Sequence, residues 1–199
     1  GLAFANKYNG NNKISATFFG DGAVDQGVLH ETLNMSQLWK LPAIYVVENN
    51  GYSMGTSVRR HTVGEIYERA KGYGMKHAVF NGMDAFTVYE NMKKIADDVR
   101  ETSEPWFVES RTYRYRGHSM SDPQEYRTKD ELEADQKNDP IERIKKCILD
   151  EKILTNDEVD EIIQRVEQEV LDAVDFAEES PFPEPEALYE DMFAGTPFI

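Results

Sequence analysis

Ile14-Ser15-Ala16-Thr17-Phe18-Phe19-Gly20-Asp21-Gly22 and Ala43-Ile44-Tyr45-Val46-Val47-Glu48-Asn49-Asn50-Gly51 are the two stretches that decide the fold. Each is a continuous β-branched and aromatic run that stops abruptly at turn residues, the pattern of a strand buried on both faces. Between them Val28, Leu29, Leu33 and Trp39 recur at helical spacing, predicting a helix from about Val24 to Trp39 that ends before Pro42. Strand, loop, helix and strand make a βαβ unit. Continuous apolar strands predict a parallel sheet with helices on both faces. The expected class is α/β, a doubly wound, mostly parallel sheet flanked by helices, with C-terminal helices and an extended tail.

The alternation continues downstream. Thr62-Val63-Gly64-Glu65 has capping-box spacing and predicts a short helix to about Gly74. His77–Phe80 and Trp106–Ser110 read as strands, and between them Asp84 is placed to cap a helix carrying Phe86, Tyr89, Met92, Ala96 and Val99. Residues 111–129 lose periodicity, and so long an irregular stretch inside a compact domain is usually functional or mobile. Asp139-Pro140 opens a helix. Thr155-Asn156-Asp157-Glu158 caps another, whose stripe runs Val159, Ile162, Ile163, Val166, Val170, Ala173, Val174 and Ala177. Pro181, Pro183 and Pro185 then stiffen a tail whose Phe182, Leu188, Tyr189, Met192, Phe193, Phe198 and Ile199 are apolar enough to dock on another surface. The expected division is an α/β domain over 1–135 and a helical extension with docking tail over 136–199. Gly1–Tyr8 reads as the end of a helix closed by Asn9-Gly10, so the chain is expected to begin inside a larger domain.

Composition narrows the function. The 199 residues carry 22 Lys and Arg against 37 Asp and Glu, a formal charge of −15. That excess disfavours nucleic acid and anionic membrane surfaces, both of which need a basic face. No apolar run reaches the roughly 18 residues of a membrane-spanning helix. A single cysteine, Cys147, rules out an internal disulfide framework and predicts a reducing compartment. It falls with Ile144 and Ile148, which suggests packing.

The chemistry gathers where the first two strands end, since open parallel sheets bind ligands beyond the carboxyl ends of their strands. Asp21 offers a hard carboxylate oxygen, Asn50 an amide oxygen and Tyr52 a backbone carbonyl, a set suited to Mg²⁺ with phosphate and water completing the shell. Gly22 and Ala23 are expected at a helix N-terminus, where backbone amides can meet a diphosphate. Plainer readings stand beside these. Asp21 could merely cap the helix, Asn49 could hold the loop that presents Asn50, and Arg114, Arg116 and His118 could be solvated surface groups.

The Gly-Asp-Gly…Asn-Asn arrangement resembles the thiamine diphosphate and Mg²⁺ motif of transketolase-like enzymes. Gly20–Gly27, Leu38-Trp39-Lys40-Leu41-Pro42, Glu48–Ser57 and Tyr113-Arg114-Tyr115-Arg116-Gly117-His118-Ser119-Met120-Ser121-Asp122-Pro123 go further. Together they resemble the alpha subunits of the thiamine diphosphate-dependent 2-oxoacid dehydrogenases, and the last run resembles the pyruvate type more than the branched-chain or acetoin types. The resemblance implies oxidative decarboxylation of pyruvate with acetyl transfer to a lipoyl group. It implies that Asp21, Asn50 and the Tyr52 carbonyl hold Mg²⁺, and that Gly22, Ala23 and Asn50 contact the cofactor diphosphate. It places His118 on a loop that orders over the cofactor and assists acyl transfer. It also implies a beta subunit in an α2β2 heterotetramer, which would supply the glutamate that activates the cofactor, and a lipoyl-bearing acetyltransferase as the next partner. The family's alpha subunits have a substantial region before the segment matched here. Gln124-Glu125 stands where mitochondrial members carry a regulatory serine, which favours a bacterial cytoplasmic enzyme over one of the mitochondrial matrix. A branched-chain 2-oxoacid or acetoin enzyme and a non-catalytic assembly fragment are the alternatives.

Overall fold

A computed structural model describes residues 1–190. Helix α1 (Leu2–Asn9) ends at Gly10, whose φ of 59° is the left-handed closure that glycine adopts without strain. Four parallel strands follow, β1 (Ser15–Gly20), β2 (Ala43–Asn49), and later β5 (Lys76–Asn81) and β6 (Trp106–Arg111), ordered β1-β2-β6-β5. Tyr52–Ser53 (β3) and Thr56–Ser57 (β4) form a small antiparallel hairpin directly after β2. The register pairs Gly20 with Glu48 and Asn49 with Arg111, so β1, β2 and β6 all end at the same edge of the sheet.

The core explains the winding. Along β2, Tyr45 and Val47 pack with Val24, Leu29, Leu33, Ile66 and Phe107 on one face. Ile44 and Val46 pack with Phe80, Ile95, Val99 and Val108 on the other. Alternate side chains of one strand thus enter two separate cores, the arrangement a continuous apolar run predicts. Each fully buried Val, Leu, Ile or Phe contributes about 1.5–3 kcal/mol. Helix α2 (Gly27–Leu38) covers the first face and α4 (Ala85–Thr102) the second. Asp84 caps α4 by accepting from the Phe86 and Thr87 amides.

Three expectations change in detail. The first strand is not buried on both faces. β1 is the outer strand among the described residues, and Phe18 on it is 60% exposed. The helix expected from Val24 is broken in two, a 3-10 turn at Asp21–Asp25 and then α2 from Gly27, because Gln26 is extended (φ −79°, ψ 136°). The third change concerns the capping box at Thr62–Glu65, which does not form. Thr62 donates instead to Asp25 and Glu65 pairs with Arg111, and Ile66–Tyr73 coils as a 3-10 helix.

Two short elements lead to the end of the fold, α3 (Val58–His61) after the hairpin and α5 (Lys129–Gln136) after the long loop. Helix α6 (Pro140–Asp150) follows, then α7 (Asn156–Glu179), which carries a complete capping box between Thr155 and Glu158. The chain divides into two compact units, Gly1–Ile144 and Lys145–Ile199. On α7 Val159 is buried, whereas Ile162, Ile163, Val166, Val170 and Val174 are exposed. Cys147 is half-buried. Phe182, Leu188 and Tyr189 are exposed, and the expected docking residues Met192, Phe193, Phe198 and Ile199 lie outside the described residues. Among the described residues no helix is long and apolar enough to cross a membrane.

Candidate cofactor and metal site

Asp21 leaves β1 and turns at once into the interior, where it is 1% exposed. Its Oδ2 has no hydrogen-bond partner. A buried carboxylate oxygen without a donor costs on the order of 1–3 kcal/mol or more, so natural folds rarely keep one without a ligand. The nearest cationic candidate is His61, at the end of α3, whose Nε2 lies 3.4 Å away. That is within ion-pair reach but too long for a good hydrogen bond, and Nε2 is likewise unpartnered. The ring's other nitrogen is firmly held, because His61 Nδ1 and Thr62 Oγ1 both donate to Asp25 Oδ2 at 2.9 Å, while Arg69 donates to Oδ1 at 2.6 Å. Burial alone would raise the Asp25 carboxyl; the donors from His61, Arg69 and Thr62 outweigh it and hold the group down at about 2.

Asn50 lies just past the end of β2, the strand beside β1. Its Oδ1 accepts from the Tyr52 amide at 3.1 Å, and Asn49 Oδ1 accepts from the Gly51 amide at 3.1 Å. Two successive Asx turns therefore bend the chain, with Gly51 taking the φ of +84° the bend requires. An amide oxygen has a second lone pair, so Asn50 retains acceptor capacity. Asn49 is pinned from below: its Nδ2 donates to Glu109 Oε1 at 2.9 Å. Glu109, 1% exposed, also accepts from Arg111 Nε at 2.9 Å and from the Tyr67 amide at 3.0 Å. This buried charge is fully partnered, as burial demands.

Gly22 and Ala23 lie in the first turn of the 3-10 helix Asp21–Asp25, whose N-cap is Gly20, and the α-helix starts later, at Gly27. Gly22 is small for a different reason: a Cβ there would lie 2.2 Å from Ser53 Oγ. The glycine lets the loop after β1 lie against the β3 hairpin and brings Asp21 beside the Asn50–Tyr52 loop.

His118 is exposed, and its imidazole makes no hydrogen bond among the described residues. The loop that carries it is nonetheless well tied. Asp122 accepts from the His118 amide at 2.7 Å, from Tyr126 at 2.8 Å and from the Gln124 amide at 2.9 Å. Arg127 donates to the Arg114 and Tyr115 carbonyls. Arg114 donates to the Met54 carbonyl in the β3–β4 turn at 2.6 Å, which gives it a structural task; Arg116 is exposed. The loop and the hairpin also share Glu131 of α5, whose Oε1 accepts from Tyr52 at 2.8 Å and from Tyr113 at 3.0 Å. Burial and the bond to Glu131 push the Tyr52 phenol up to about 12.

Asp21, Gly22, Ala23, Asn50 and Tyr52 thus meet at one sheet edge, and His118 stands on the loop tied to the same hairpin. Asp25, His61, Glu109 and Glu131 also build the site but carry no local sequence signal. The buried, unpartnered Asp21 Oδ2 and the free lone pair of Asn50 fit a hard cation.

The chain is 49% identical over 194 residues to a pyruvate dehydrogenase E1 component subunit alpha of Rickettsia bellii, covering 97% of this chain and 60% of that protein. The subunit of the same name from Rhizobium meliloti is 44% identical over 194 residues, covering 96% and 56%. The mitochondrial alpha-1 subunit of Arabidopsis thaliana is 43% identical over 197 residues, covering 97% and 50%. The chain therefore spans 60% or less of the length of these curated relatives. The model of the dehydrogenase E1 component, a family that generally uses thiamine diphosphate, matches residues 1–186. With nearly the whole chain matched, this chain belongs to the dehydrogenase E1 component family.

Proposed function

We propose that this chain is part of the alpha subunit of a pyruvate dehydrogenase that binds thiamine diphosphate and Mg²⁺, decarboxylates pyruvate oxidatively and passes the acetyl group to a lipoyl group. The observation that carries this reading is the buried Asp21 carboxylate, unpartnered at Oδ2, beside the Asn50–Tyr52 loop. The names of the relatives supply the substrate.

Asp21, Asn50 and the Tyr52 carbonyl would hold the cation. The loop at Gly22 and Ala23 would offer backbone amides to the diphosphate. When bound, thiamine diphosphate supplies the electron sink that the loss of CO₂ requires. The chain's own residues prepare the place. Glu109 and Asn49 fix the loop that presents Asn50, and Gly22 sets the approach of Asp21 to the hairpin. The Asp122 and Arg127 contacts tie the backbone of the His118 loop, and its exposed imidazole would be free to exchange a proton during acyl transfer. A beta subunit, in an α2β2 heterotetramer, would bring the glutamate that activates the cofactor, and a lipoyl-bearing acetyltransferase would take the acetyl group. The bacterial relatives and Gln124-Glu125 favour the bacterial cytoplasm as its location.

Dye-coupled oxidation by the complete alpha subunit with its beta partner tests the reading. With thiamine diphosphate and Mg²⁺, pyruvate should be strongly preferred to 2-oxoisovalerate. Preference for 2-oxoisovalerate would move the chain to the branched-chain enzymes. Silence with both substrates despite bound cofactor would point to acetoin, and failure to bind any cofactor would leave an assembly role.

A further inference from the structure

We infer that Asn50 is a self-modification site, whose carboxamide cyclises onto the Gly51 nitrogen and opens with water to aspartate or isoaspartate. The loop geometry carries the modification. Only its effect on a bound cation rests on the function proposed above.

The chain holds three Asn-Gly pairs, Asn9-Gly10, Asn50-Gly51 and Asn81-Gly82. Glycine has no Cβ to hinder its own nitrogen, so the three pairs share one intrinsic chemistry. The fold separates them. The Gly82 N–H donates to the Arg111 carbonyl at 2.7 Å, and a Cβ at Gly82 would lie 2.3 Å from Ser110 Oγ, so the backbone there has no room to turn. Asn9 is the last residue of α1, and the Gly10 N–H donates to the Lys7 carbonyl at 3.2 Å; closing a ring there would unwind the helix end. The Gly51 N–H has only a side-chain acceptor, Asn49 Oδ1 at 3.1 Å. A Cβ at Gly51 would meet no atom of the described residues within 4 Å. Asn50 and Gly51 are half-buried, so water reaches both.

The electrophile is prepared as well. Asn50 Oδ1 accepts from the Tyr52 amide at 3.1 Å, and a donor aimed at an oxygen that gains negative charge stabilises the attack on its carbon. Asn81 has an equivalent donor, the Met83 amide at 2.9 Å, so the difference between the two pairs lies in the freedom of the glycine. The Gly51 nitrogen gives its proton to hydroxide and bonds to Asn50 Cγ. The Cγ–Nδ2 bond breaks, and ammonia leaves. Water then opens the succinimide at either carbonyl. One water enters and one ammonia departs, with no change of oxidation state. Opening at the main-chain carbonyl leaves isoaspartate, which routes the backbone through the side-chain methylene. That shifts Gly51 and Tyr52 and puts a carboxylate where the neutral amide stood, beside Asp21.

The test ages the complete alpha subunit, assembled with its beta partner and free of cofactor, in mildly alkaline buffer. Peptide mapping by mass spectrometry follows the three asparagines, and electron-transfer fragmentation separates isoaspartate from aspartate. The same protein unfolded in urea gives each pair its intrinsic rate. Relative to that rate, Asn50 should convert at least about tenfold faster than Asn81 and Asn9, the ratio expected when the competing sites must each break a backbone hydrogen bond. Asn49→Ala, which releases the Gly51 N–H, should speed Asn50 further. Conversion of Asn9 or Asn81 at a relative rate equal to that of Asn50, or an Asn50 that stays intact, overturns the inference whatever the protein's function. Calorimetry with thiamine diphosphate and Mg²⁺ on the aged protein should show binding sites lost in proportion to the isoaspartate. Undiminished binding after Asn50 has converted would leave the modification standing and overturn the cation role of this loop.

Discussion

Asp21 and the loop that carries His118 follow strands ending at the same edge of one sheet, and the two side chains are held in opposite ways. Asp21 is buried and short of a partner, set in place by packing around Val24 and by Gly22 against Ser53. His118 is exposed, with a bare ring, while the backbone beneath it is tied by Asp122 and Arg127. One region carries its unmet bond in the side chain, where the proposed cation would sit. The other meets its bonds in the backbone and leaves the side chain free. A binding group gains from rigidity and desolvation. The role proposed for His118, reaching an incoming acyl acceptor, would gain from water access and a firm tether.

The contrast can be broken at its buried support. Glu109→Ala removes the acceptor of Asn49, Arg111 and Tyr67, and should cost about 3–5 kcal/mol of stability by denaturant unfolding, since it dismantles a buried charge network. An unchanged midpoint would mean that the site is not held from below. Next, Asp21→Asn should lower cofactor-dependent decarboxylation on the order of 100-fold or more, while leaving the cofactor-free protein no less stable, because a buried charge without a donor is relieved. Loss of both activity and stability would make Asp21 structural. Gly22→Ala should destabilise by about 1–3 kcal/mol through overpacking on Ser53, and adding Ser53→Gly should restore most of the loss in a double-mutant cycle.

On the exposed side the effects shrink. Asp122→Ala should change global stability by less than about 1 kcal/mol yet speed proteolysis within residues 112–128, because only the loop loses its ties. The smallest effect is spectroscopic. The Tyr52 phenol is raised to about 12 by burial and by Glu131, so the contact contributes stability that is complete below about pH 10 and lost as pH rises through 12. Absorbance at alkaline pH should show a tyrosine ionising near 12, and Glu131→Gln should bring it down.

The contrast also marks what the sequence makes legible. Strands β1 and β2 and the residues at their ends are readable because the signals are local: apolar runs stopped by Gly-Asp-Gly and Asn-Asn-Gly. The Thr155 capping box is readable for the same reason. The Thr62 box misleads because its two polar residues find stronger partners, Asp25 and Arg111, that are distant in sequence. The exposure of β1 is likewise hidden, since an outer strand and a central one can share an apolar run. His61 and Glu109 carry no motif at all; only the folded sheet edge brings them to Asp21 and Asn49.

Tyr52 divides its labour within a single residue. The carbonyl proposed for the cation belongs to the main chain and would be supplied by any amino acid at that position. Mutation can displace such a ligand but cannot delete it. The phenol, freed from that duty, fastens the hairpin to Glu131 and through it to the stretch that carries His118. The position is therefore robust in one property and open to variation in another: Tyr52→Phe would leave the ligand in place and cut only the fastening, so that selection could retune the grip on the loop without risking the metal.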